Sequence, residues 1–183
     1  MFVAIYCASS MPHNQKIIDT SQELANALAV HNFNIVYGGA NVGLMKIVAD
    51  SALDHGAQVI GVLPNVIKRK EIEKTNLTQL IKVETMHERK KIMADIADAF
   101  IALPGGAGTL DEIFEAITWS QINIHDKPTI FFNIDGYYDP IKSFFQNSLK
   151  NGLTSQANYD RICFIDNTND LIDLLKRKLR ADS

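Results

Sequence analysis

Apolar residues in this chain fall into short runs, separated by stretches in which they recur every three or four positions. The runs are Phe2–Tyr6, Asn34–Tyr37, 58–62, 100–103, 129–134 and Ile162–Ile165. They are rich in Val, Ile and Phe and lack the strict polar alternation of a strand with one wet face. That pattern predicts strands buried on both faces. A weaker candidate of the same kind is 81–84. Between the runs, Ile17, Ser21, Leu24 and Leu28 keep helical spacing, as do Leu44, Ile47 and the small residues after them. The segments 86–97, 110–122, Asp139–Lys150 and Thr168–Leu179 complete the predicted helices. Regular alternation of buried strand and amphipathic helix predicts an α/β fold with a doubly wound, mostly parallel sheet flanked by helices. In such sheets, ligands bind beyond the carboxyl ends of the strands. The segment 64–79 is polar, charged and unperiodic. It predicts a long loop with at most a helical turn, either a cover or a surface insertion.

Composition narrows the class without changing this picture. The chain has 183 residues, 46% hydrophobic and 21% charged, with a net charge of −3. That suits one globular domain spanning 1–183 with a sizeable core. No block of like charge is long enough for a nucleic-acid arm, and the basic residues near 176–180 lie on the polar face of a terminal amphipathic helix. Cys7 and Cys163 sit in apolar runs, as buried thiols do, and do not form a disulfide framework. The amino-terminal apolar run is too short for a membrane span and lacks a basic flank. A cytoplasmic protein with no membrane or nucleic-acid partner is expected.

Small residues close three of the strands. The first ends in Ala8-Ser9-Ser10, the second in Gly38-Gly39-Ala40-Asn41-Val42-Gly43, and the fourth in Pro104-Gly105-Gly106-Ala107-Gly108-Thr109. Each precedes a helix, whose free N–H groups and positive dipole end favour an anion. Three such loops on one sheet edge suggest a phosphate-bearing ligand, although a glycine at a strand–helix turn can serve the turn alone. No loop reads G-x-G-x-x-G. Leu44-Met45 follows Gly43 where a P-loop requires Lys and Ser or Thr.

Two motifs are more specific: Met86-His87-Glu88-Arg89-Lys90, and Pro104 through Thr109 continued by Leu110-Asp111-Glu112. Together they closely resemble the paired signature of the Lonely guy family, the cytokinin riboside 5′-monophosphate phosphoribohydrolases. Bacterial relatives often act on AMP, and related sequences long carried a lysine decarboxylase label. The likeness runs from Phe2 to about Asp166 and includes Ile117-Thr118-Trp119-Ser120-Gln121, His125-Asp126-Lys127-Pro128 and Asp135-Gly136-Tyr137-Tyr138. It implies a Rossmann-like fold and usually a homodimer with the site near the subunit interface. Arg89 and Glu112 are the implied catalytic pair. Ser10, Gly39, Met86, Lys90, Gly105, Gly106, Ala107, Gly108 and Thr109 are the expected binding residues, with the loop from Gly105 to Thr109 on the 5′-phosphate. The chain departs from the family at Ala8, Ala40 and Lys46, where glycine is usual.

The implied reaction is hydrolysis of the N-glycosidic bond of AMP or an N6-substituted AMP, giving free base and ribose 5-phosphate. Its transition state carries oxocarbenium-like charge on the ribose, which a carboxylate stabilises. Glu112 fits that role as nucleophile, base or electrostatic partner, but Thr109-x-x-Glu112 is also a capping-box pattern. Arg89 is a poor acid because guanidinium does not deprotonate in proteins. It suits binding phosphate or ribose, or orienting Glu112, and it shares a helix face with Met86 and Met93. A methionine pair there suits a flat base; core methionines beside an exposed charge give the same spacing. Asp111 reads as a dipole partner of the first turn. Lys90 reads as a phosphate support or a solvated lysine, and Trp119 as core or interface. His87 and His125 lack metal-ligand spacing, so no metal is expected, and no cofactor is implied. A non-catalytic carrier of a nucleotide or phosphorylated cofactor is the competing reading. Nothing in the residues suggests a pyridoxal-phosphate lysine.

Overall fold

The computed structural model describes residues 1–65 and 74–179. Seven strands form one sheet: β1 (Phe2–Tyr6), β2 (Asn34–Tyr37), β3 (Val59–Pro64), β4 (Gln79–Val83), β5 (Ala99–Ala102), β6 (Thr129–Phe132) and β7 (Ile162–Ile165). Their spatial order is β4-β3-β2-β1-β5-β6-β7, and every neighbouring pair is parallel. The helices are α1 (Gln15–Val30), α2 (Gly43–Asp54), α3 (Met86–Ile96), α4 (Ala107–Gln121), α5 (Asp139–Lys150), α6 (Gln156–Tyr159) and α7 (Thr168–Leu179), with a 3-10 turn at Ile134–Gly136.

The missing polar alternation in the strands has a direct cause. In β1, Val3 and Ile5 face a core that includes Leu24 of α1, Leu44 of α2 and Leu171 of α7. Ala4 and Tyr6 face a second core with Met93 of α3, Ile113 of α4 and Phe145 of α5. Helices therefore cover both faces, as the alternation predicts, and the fold is Rossmann-like, as the resemblance implies. No helix among the described residues is long and apolar enough to cross a membrane.

Several boundaries shift for physical reasons. β3 continues to Pro64, which pairs with Val83 of β4. β4 is an edge strand with an exposed Gln79, which weakens its apolar signal. β6 stops at Phe132 because Asn133 opens the 3-10 turn. α4 begins at Ala107, three residues before the apolar period. Within the expected 64–79 loop, Pro64 and Gln79 belong to strands and Lys74 is buried against Asp50. The expected helical turn or cover in 66–73 lies outside the described residues.

The order of the strands sets the site. From β1 the chain winds outward through β2, β3 and β4. It then returns to place β5 on the other side of β1. Loops leaving β1 and β5 diverge at this reversal, which opens a crevice at the carboxyl ends.

Candidate active site

A cavity of about 330 Å³ occupies that crevice. Cys7, Ala8, Ser9 and Ser10 line it from the loop after β1, and Met45 from α2. Met86 and Arg89 enter from α3, and Gly106, Ala107, Gly108, Thr109, Asp111 and Glu112 from α4.

Of the three small-residue loops, one presents a helix start to the cavity. α1 is capped by Asn14, whose Oδ1 accepts from the Lys16 N–H at 3.0 Å. At the start of α2 the Leu44 N–H donates to the Ser10 carbonyl at 3.3 Å. Gly43, at φ +52°, is required because a Cβ there would strike the Ser9 carbonyl. That glycine serves a crossing of two backbones, not a ligand. α4 differs: its N-cap is Gly106, with no side-chain cap. The first three N–H groups of a helix have no carbonyl within it to bond. Here they belong to Ala107, Gly108 and Thr109, which line the cavity. The capping box that Thr109-x-x-Glu112 offered as an alternative does not form, since these are the third and sixth residues of α4.

α3 carries a reciprocal cap instead. Thr85 Oγ1 accepts from the Glu88 N–H at 3.1 Å, and the Glu88 carboxylate accepts from the Glu84 N–H at 3.0 Å. One turn in, Arg89 points inward. Its Nε donates to the Val62 carbonyl at 3.1 Å, and Nη1 lies 2.9 Å from Glu112 Oε1. The side chains are only 8% and 6% exposed. Among the described residues Glu112 Oε1 accepts no aligned hydrogen bond, so the pair is a close ion contact rather than a locked fork. Gly38 makes room for it, because a Cβ there would overlap Arg89 Nη2.

Burial dominates the electrostatics of Glu112. Desolvation raises its carboxyl to about 7, against the lowering pull of Arg89, and Asp111 adds to the rise. Burial, reinforced by Glu112, also pushes the Cys7 thiol well above its ordinary value, so this cavity-lining group stays protonated and is no nucleophile.

Other expected residues are placed differently. Lys90 does not line the cavity; its ammonium pairs with Glu115 and, at 3.1 Å, with Asp111. Asp111 is the fifth residue of α4, beyond the first turn where it was expected to serve the helix dipole, and faces a lysine instead. Gly39, at φ +77°, packs against Leu63 and Leu80, away from the cavity. Gly105 lines an adjoining cavity of about 340 Å³ that shares Ala8, Ser10 and Gly106 with the first. Met93 is fully buried in the core, so the methionine beside Met86 is Met45. Trp119 packs partly buried against the core. Met45, Gly38 and Cys7 were not singled out for the site by the sequence. The signal for Met45 was its place just after the second glycine loop.

A family model described as "Possible lysine decarboxylase" matches residues 45–175. Cytokinin riboside 5′-monophosphate phosphoribohydrolase LOG2 of Arabidopsis thaliana is 38% identical over 174 residues, covering 95% of this chain and 82% of that protein. LOG4 of the same plant is 41% identical over 153 residues, covering 84% and 71%. This chain belongs to the Lonely guy family. The departures from the family's usual glycines lie off the cavity wall at two of three positions. Ala40 is buried at an unstrained φ, its carbonyl accepting from the Tyr37 hydroxyl at 3.4 Å. Lys46 pairs with Asp50, which also holds Lys74. Ala8 is the Lonely guy departure that reaches the cavity. Among solved structures, the molybdenum cofactor binding protein from Rippkaea orientalis shares the fold, with a TM-score of 0.74 at 21% identity over 96% of this chain and 95% of that one.

Proposed function

We propose that this protein hydrolyses the N-glycosidic bond of AMP or an N6-substituted AMP, releasing the base and ribose 5-phosphate. The observation that carries the reading is the buried Arg89–Glu112 pair, 2.9 Å apart, on the wall of a cavity that an uncapped helix start also lines. The 5′-phosphate sits on the N–H groups of Ala107, Gly108 and Thr109 and on the dipole of α4. The ribose lies toward Glu112, whose carboxylate stabilises the oxocarbenium-like carbon or directs water to it. The Arg89 guanidinium orients that carboxylate and offsets the cost of its charge. Met45 and Met86 flank the base with polarisable, adaptable surface. The relatives' names favour a cytokinin riboside monophosphate as substrate. An apolar N6 tail changes transition-state binding by only about 1–3 kcal/mol per small group, so plain AMP belongs to the same class.

The protein works in the cytoplasm as a homodimer, with a second copy covering Ile122 and Ile124 just beyond α4. These residues are 61% and 62% exposed, and α4 carries Thr109 and Glu112. The reading is tested by incubating the protein with AMP, N6-isopentenyladenosine monophosphate and adenosine, without cofactor, and following free base by chromatography. Release from a monophosphate but not from adenosine is expected. Tight nucleotide binding without release would favour the carrier.

A further inference from the structure

A helix start holds an anion only if the carbonyls just before it face elsewhere. In the strap from Leu103 to Gly106 every carbonyl is engaged. The Tyr138 hydroxyl donates to Leu103 O at 2.6 Å, the Ala8 N–H to Pro104 O at 3.2 Å, and the Tyr137 hydroxyl to Gly105 O at 2.7 Å. Gly106 O accepts from the Leu110 N–H at 3.1 Å, inside the helix. Three of these bonds are built into strands, the buried core or the helix. The fourth, from Tyr137, is a side-chain bond from a residue that is 45% exposed. It holds the Gly105–Gly106 peptide, which joins two glycines, so that rotation meets little steric resistance.

The tyrosine pair is itself held in place. Asp135, at φ 55°, and Gly136, at φ 73°, turn the chain after β6. Lys16 Nζ lies 2.8 Å from one Asp135 oxygen, and Asn14 donates to the other at 3.2 Å. Asn133 Oδ1 accepts from the Tyr138 N–H at 2.6 Å. The two rings then meet edge to face, 5.0 Å between centroids. So α1, β6 and β1 together fix how the glycine strap faces the cavity.

From this geometry we infer that Tyr137 is a positioning residue for phosphate. By accepting a hydrogen bond from its hydroxyl, the Gly105 carbonyl stays turned away from the start of α4, and the loop offers donors alone to the anion. Without it, the Gly105–Gly106 peptide rotates freely enough to point a carbonyl dipole at the phosphate, which opposes binding. The inference rests on the proposal that this loop holds the 5′-phosphate.

The two reaction products separate it from general loosening, because neither is turned over. Dissociation constants for ribose 5-phosphate and for adenine are measured by calorimetry on the wild type and on Tyr137→Phe, with melting curves alongside. Loss of one neutral hydrogen bond predicts a roughly three- to tenfold weaker affinity for ribose 5-phosphate, with adenine binding and melting temperature unchanged. Equal weakening of both ligands, or of neither, would overturn the positioning role. A wild type that binds ribose 5-phosphate no better than ribose would remove the phosphate site itself, and with it both this inference and the assignment it rests on.

Discussion

Glu112 is a buried carboxyl whose proton is held in the native state to about pH 7, chiefly by desolvation. Two consequences follow from that one displacement. If the ionised form acts on the ribose, kcat/KM for the nucleotide falls tenfold per pH unit below about 7 and levels off above it. A profile flat from about pH 5.5 to 8 would mean that Glu112 ionisation plays no part in the reaction. Stability carries the same proton with the opposite sense. Below the ordinary carboxylate value of about 4.5 the group is protonated in both folded and unfolded chains and costs nothing. As pH rises from there to about 7, the unfolded chain releases its proton while the native state keeps it, so native stability drops. Glu112→Gln has no such proton. Its melting temperature should therefore gain on the wild type between about pH 5 and about pH 8, by the equivalent of on the order of 1–3 kcal/mol. A difference that stays constant would show that the carboxyl is not desolvated.

The site depends on where α3 and α4 start and on what lies opposite them. Gly38, at the end of β2, is the space into which the Arg89 guanidinium fits. Gly38→Ala should leave the fold intact, because the overlap falls on a side-chain tip. It should displace that tip and lower kcat/KM by about 10²-fold, the scale of a misplacement of about 1 Å. Activity within about twofold of wild type would show that Arg89 does not need this seat. Such details are where the sequence was hardest to read. The helices Asp139–Lys150 and Thr168–Leu179 were legible to the residue, because their apolar stripes begin at their first turns. α4 was not, because its first turn, Ala107-Gly108-Thr109, is small and glycine-bearing and looks like loop. That blurred start made Thr109-x-x-Glu112 resemble a cap. Met93 and Met45 exchanged places for a related reason. Helical spacing shows which residues share a face, but not how far that face extends from core to cavity.

The order in which strands are laid down decides where chemistry can occur. Continuous apolar runs were enough to read a parallel sheet buried on both sides, and all seven strands lie within two residues of their expected starts. Their spatial order was not legible, since it depends on which faces the helices cover. Yet it is this order, with β5 returning beside β1, that brings Ser10 and Thr109 to one cavity from opposite halves of the chain. Light scattering should give a dimer for the wild type and a monomer for Ile122→Glu/Ile124→Glu. A monomeric wild type, or a double variant that remains dimeric, would rule out this face. The proposal as a whole stands most directly on one comparison: free base released from AMP and from N6-isopentenyladenosine monophosphate, by wild type and by Glu112→Gln, without cofactor. Release by the wild type and none above background by the folded variant is the predicted result. Equal release by both proteins, or release by neither, would contradict it.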